Sequence, residues 1–190
     1  NLSNGYKSAM IYNSTNNQAT VGNITSVINN GREIYAFNNQ AGTLTLNSGN
    51  VEIKDSYDSY GIGNFGGTTT STGINYNMHD NTYSRGFYVD GGTLNADGGD
   101  SKLYANTNTY ILEFYNGTAN LLGGTYEAIA PTTYFSSISR GSVNISGGDY
   151  TSTATGTSNG IILSGGNITV TGGSIKMNGA TATGIEATSG

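Results

Sequence analysis

Apolar residues in this chain fall in short alternating runs. Gly42-Thr43-Leu44-Thr45-Leu46 sets a Gly, a polar residue, an apolar residue, a polar residue and an apolar residue in succession. The frame returns at Gly92-Thr93-Leu94-Asn95-Ala96, Gly117-Thr118-Ala119-Asn120-Leu121, Gly141-Ser142-Val143-Asn144-Ile145 and Gly166-Asn167-Ile168-Thr169-Val170. Gly67-Thr68-Thr69-Thr70-Ser71 and Asn17-Gln18-Ala19-Thr20-Val21 are weaker copies. The copies start at 17, 42, 67, 92, 117, 141 and 166, in steps of 25, 25, 25, 25, 24 and 25 residues. Period-two alternation over such runs predicts half-buried strands.

Two more strands are predicted in each repeat. One follows a Gly, as in Gly49-Asn50-Val51-Glu52-Ile53, Gly124-Thr125-Tyr126-Glu127-Ala128 and Gly173-Ser174-Ile175-Lys176-Met177. The other closes the repeat, as in Tyr35-Ala36-Phe37, Gly86-Phe87-Tyr88-Val89 and Ile111-Leu112-Glu113-Phe114. Glycines between them suit corners that need positive φ. Helical periodicity is absent. The pattern predicts an all-β, single-stranded parallel β-helix of about seven coils, each of about 25 residues with three short strands. Coil length favours the right-handed type. At roughly 4.8 Å per coil the rod would be about 34 Å long. One solenoid domain covers 1–190. Ala9-Met10-Ile11-Tyr12-Asn13 resembles a third strand, Gly190 falls where a coil would begin, and neither end shows a cap. These features predict part of a longer array or a subunit that associates end to end.

Alternation also assigns faces. Leu44/Leu46, Leu94/Ala96, Ala119/Leu121, Val143/Ile145 and Ile168/Val170 should point inward. Outward, the first strands should show a ladder of Thr43, Thr45, Thr68, Thr70, Thr93, Asn95, Thr118, Asn120, Ser142, Asn144, Asn167 and Thr169. The second strands carry Glu52, Lys102, Glu127 and Lys176 outward. Tyr35, Tyr60, Tyr110 and Tyr134 form a column interrupted by Arg85. Parity with Ile62 and Leu112 puts that column on the interior or at a corner. An exposed aromatic strip for sugars is the alternative.

Composition narrows the function. Gly numbers 30, Asn 25, Thr 26 and Ser 20, so Asn, Thr and Gly ladders are plentiful enough to clad a thin-cored repeat. With Cys 0 and His 1, no thiolate or His-rich metal site is expected, and no cofactor. Seven Lys plus Arg at net charge -5 argue against nucleic acid as partner. No run approaches the roughly 20 apolar residues of a helical membrane span. Tyr 14 and near-absence of Pro argue against a disordered tract. Six sequons, at Asn1, Asn13, Asn23, Asn116, Asn144 and Asn167, matter only in a glycosylating source.

The Gly-Gly punctuated run Gly165-Gly166-Asn167-Ile168-Thr169-Val170-Thr171-Gly172-Gly173-Ser174-Ile175 resembles right-handed parallel β-helix regions of bacterial cell-surface proteins. These include adhesin-type and polysaccharide-binding solenoids related in fold to pectate lyases. The resemblance implies an extracellular or cell-surface location and contact with a glycan or a host or neighbour surface.

For chemistry, the richest local cluster is His79, Asp80, Tyr83 and Arg85, with Tyr57 and Asp58 one coil earlier and so expected close in space. It suits a small polar site for a sugar or a carboxylate. Gly91-Gly92-Thr93-Leu94-Asn95-Ala96-Asp97-Gly98-Gly99-Asp100 departs in spacing from the calcium-binding glycine-aspartate repeat, and no metal is expected there. Carboxylates are scattered, with no pair set for hydrolysis. The leading expectation is a non-enzymatic adhesive or structural rod. Alternatives are a carbohydrate-binding module and an ice binder that orders water on the Thr/Asn ladder.

Overall fold

A computed structural model describes residues 2–3 and 6–188, so Asn1 and Gly190 lie outside the described residues. The described chain is a parallel β-solenoid without a helix, and every strand pairing is parallel. Three ladders run along it. The first stacks Gln18–Val21, Thr43–Leu46, Thr68–Ser71, residues 93–96 and 118–121, Ser142–Ile145 and Asn167–Val170. The second runs from Leu2–Ser3 through Ile24–Asn29 and Gly49–Lys54 to Ser174–Asn178, and the third from Lys7–Asn13 through Glu33–Asn39 and Asp58–Asn64 to Thr181–Ala187. Longer strands such as Ile74–Ala96 and Asp100–Leu121 continue around corners. The 24-residue step is taken up at the corner between Tyr104 and Asn108, where the register shifts.

Corners explain the glycine spacing. Gly42, Gly67, Gly92, Gly117, Gly141 and Gly166 all have positive φ, at 72°, 66°, 64°, 100°, 84° and 76°. A Cβ on Gly67 would stand 2.1 Å from the Gly42 carbonyl oxygen. No side chain fits where successive coils turn this tightly. Another corner uses Asn30, Asp55 and Asp80 at φ of 55°, 53° and 57°. Asn and Asp tolerate the left-handed region better than other non-glycine residues.

The core is a set of columns. Leu44, Leu46, Leu94, Ala96, Ala119, Leu121, Val143 and Ile145 are buried as alternation predicts. Val170 is 48% exposed, since no further described coil covers it. The weak copy at 67–71 is weak because Thr69 and Ser71 stand inside these columns, both buried. Thr69 is matched by a neighbouring ladder of buried asparagines. Its hydroxyl donates to Asn64 Oδ1 at 2.6 Å and accepts from Asn39 Nδ2 at 3.0 Å. Asn13 continues the ladder with a bond to Asn39 Oδ1 at 2.9 Å.

The tyrosine column is stacked as expected, but it lies on the other side of the strand from the interior cluster. In the third ladder Ile34, Ala36 and Phe37 are all fully buried, so two consecutive residues point inward. The same holds for Ile111 and Leu112. This bend resets the alternation, and parity with Ile62 or Leu112 therefore misleads. Tyr35, Tyr60, Tyr110 and Tyr134 stand between inward neighbours on the outer side of the ladder, where stacking leaves Tyr35 and Tyr60 buried and Tyr110 and Tyr134 half-buried. The interior tyrosines are Tyr76, Tyr126 and Tyr150 of the second ladder, packed on Phe37, Phe87 and Phe135.

Candidate functional site

The outer surface of the third ladder carries the densest cluster of aromatic and charged groups. Register builds it. Tyr35, Tyr60, Arg85, Tyr110 and Tyr134 occupy one position on successive coils. Tyr35 and Tyr60 stack with centroids 4.3 Å apart, and Tyr110 and Tyr134 with centroids 4.5 Å apart. Stacking covers the ring faces within each pair, and the Tyr35 hydroxyl donates to Glu33 at 2.8 Å. Arg85 fills the gap between them, its guanidinium carbon 4.9 Å from the Tyr60 ring centre and 5.5 Å from that of Tyr110. These are cation–π distances.

Two carboxylates hold Arg85. Its Nη1 donates to Asp58 Oδ1 at 2.6 Å, and its Nε donates to Glu113. Burial alone would lower the guanidinium pKa. Glu113, Tyr60 and Asp58 more than offset that, and the net shift is upward, so the charge is permanent. Glu113 also accepts from the Tyr115 hydroxyl at 3.1 Å.

A second set of rings is turned out of the stack. Tyr88 stands 5.5 Å from Tyr60 at 87°, and is tilted 46° to Tyr115 and 41° to Phe65. Tyr57 and Tyr83 meet at 76°. Tyr57 and Tyr115 are exposed, and Tyr83 and Tyr88 half-buried. Burial first, then the nearby Asp90 and Tyr115, pushes Tyr88 up to about 12. Its hydroxyl therefore remains a donor at neutral pH.

The residues expected from sequence to form one site divide into two groups. Tyr57, Tyr83 and Arg85 come together, with Arg85 5.8 Å from the Tyr83 ring centre. His79 and Asp80 sit across the corner in an ion cluster. His79 Nδ1 meets Asp80 at 2.7 Å, His79 Nε2 meets Glu52 at 3.0 Å, and Lys54 meets Glu52 at 3.1 Å. Hydrogen bonding to Asp80 is the largest cause of a raised His79 pKa. Tyr57 and Asp80 do share the wall of an open hollow of about 600 Å³, with Arg32, Asp55 and Thr82. Sequence reading placed Asp58 near Arg85 but missed Glu113, the second carboxylate on Arg85, and the neighbouring rings of Tyr88 and Tyr115. Stepping by 25 residues from Tyr88 leads to Glu113, its register partner on the next coil.

Two other surfaces compete. A groove of about 760 Å³ crosses the second ladder, lined by Asn50, Glu52, Asn75, Lys102 and Glu127. It is the larger hollow, but Asn75 donates to Asn50 at 2.9 Å along it, and Tyr76 beneath it is buried. On the first ladder, Thr43, Thr68, Thr93 and Thr118 face outward in register, as do Thr45, Thr70, Asn95, Asn120 and Asn144. Asn120 donates to Asn95 at 2.7 Å and Asn144 to Asn120 at 2.9 Å. Ser142, Asn167 and Thr169 complete that face, with the last two exposed.

Comparison with protein-family models, with curated proteins and with solved structures gives no match.

Proposed function

We propose that this protein is a non-enzymatic, extracellular adhesive rod that holds polysaccharide on the outer face of its third ladder. One observation carries the reading. Tyr83, Tyr88 and Tyr115 stand turned out of the tyrosine stack around the fixed group of Arg85, Asp58 and Glu113. Rings set around a few oriented polar groups are the usual composition of a saccharide-sized site. Sugar C–H faces pack on rings, and sugar hydroxyls donate to carboxylates. The nearest carboxylates, Asp58 and Glu113, are both bonded to Arg85, which favours binding over acid–base catalysis. Continuous parallel ladders give stiffness, and repetition along a surface polymer turns weak contacts into retention.

Glycan arrays and affinity gels on the wild type and on Tyr88→Ala and Tyr115→Ala test this. Saccharide binding lost in both variants, with unchanged melting, is expected. Binding indifferent to both substitutions sinks the assignment to this face.

A second reading, ice binding, is favoured by the in-register Thr43, Thr68, Thr93 and Thr118. Against it, Asn95, Asn120 and Asn144 have their amides tied to one another. Thermal hysteresis abolished by Thr68→Lys and Thr93→Lys would establish it in place of the glycan reading.

A further inference from the structure

We infer that the third face selects neutral polysaccharides and turns away polyuronates. The inference rests on the glycan reading above and adds its charge specificity. Recognition of a sugar carboxylate needs a cation with donors to offer. The central cation of this face already serves two carboxylates of the protein: Arg85 Nη1 donates to Asp58 at 2.6 Å and Nε donates to Glu113. Its flat faces are flanked by Tyr60, Tyr83 and Tyr110. The side chain is only 14% exposed. Lys7, at the register position of Glu33 and Asp58, is paired to Glu33 at 3.0 Å.

The balance of charge is negative. Asp58 and Glu113 share one guanidinium, Glu33 has Lys7, and exposed Asp90 lies close enough to Tyr88 to raise its pKa. Around Tyr83, Tyr88 and Tyr115, the three carboxylates of Asp58, Glu113 and Asp90 thus stand against the one guanidinium of Arg85, while the exposed Arg32 lies beyond Tyr57 on the corner hollow. Each carboxylate is an acceptor only. Neutral hydroxyls can donate to these acceptors, whereas a ligand carboxylate brings like charge against like within a Debye length of roughly 8 Å. Freeing Arg85 would reverse the preference.

The test is affinity gel electrophoresis of the whole chain through gels holding a neutral β-glucan, a galactomannan, polygalacturonate or hyaluronan. At low salt a neutral polymer is expected to retard the protein at concentrations at least about tenfold lower than either polyuronate. Asp58→Asn with Glu113→Gln should narrow that gap, and so should 1 M salt, where the Debye length falls to about 3 Å. Equal retardation by neutral and anionic polymers overturns the selectivity and leaves the glycan reading standing. Exclusion of polyuronates that persists undiminished in 1 M salt overturns the electrostatic cause. Retardation by none of the polymers overturns the glycan reading itself.

Discussion

Tyr60 and Arg85 occupy the same register position on successive coils, and the guanidinium carbon lies 4.9 Å from the ring centre. A cation thus stands where the column would otherwise continue with an aromatic ring, and it draws Asp58 and Glu113 from the coils on either side. Arg85→Met should leave two largely buried carboxylates without their partner, at a cost of about 3 kcal/mol. Denaturant unfolding measures it. Adding Asp58→Asn and Glu113→Gln to Arg85→Met should recover most of the loss, because the burden is unpaired charge and not lost packing. A single variant as stable as wild type would count against the clamp.

Gly63 lies beneath the ring of Tyr35. A Cβ there would be 2.6 Å from Tyr35 Cδ1 and 2.9 Å from Phe65 Cε2. Gly63→Ala should therefore push Tyr35 off its stack with Tyr60 and cost about 1–3 kcal/mol by overpacking. Gly184→Ala is the control, since nothing lies within 4 Å of its new methyl group. Thermal melts of the two variants should separate clearly, and equal melts would sink the packing argument.

Thr69 is the polar member of an aliphatic column, in register with Leu44 and Leu94. Thr69→Val keeps the shape and removes the hydroxyl shared by Asn39 and Asn64. Leaving those buried amides short of a partner should cost about 1–3 kcal/mol. Thr68→Val, on the outer face, should stay within about 0.5 kcal/mol of wild type. The comparison separates hydrogen bonding from β-propensity, because both positions are strand threonines.

His79 is held by Asp80 and Glu52, and its pKa is raised. The charged form is favoured in the fold. The stabilisation is therefore complete below the unfolded value of about 6.5 and is lost as pH rises through the higher folded value. Melting temperature should fall over that interval in the wild type and not in His79→Gln. An NMR titration of the imidazole should show a midpoint above 6.5; a midpoint at or below it would contradict the cluster.

Period, alternation and corner chemistry are properties of the chain itself. The 25-residue step, the inward Leu, Val and Ile of the first strands and the glycine corners were all legible because each depends on local stereochemistry repeated seven times. The side taken by Tyr35, Tyr60, Tyr110 and Tyr134 was not legible. It turns on a bend where Ala36 and Phe37 both point inward, and no local residue preference announces such a break in alternation. The grouping of Asp58, Arg85 and Glu113 likewise belongs to tertiary structure. These residues are 27 and 28 positions apart, and only the stacking of coils in register brings their charges together.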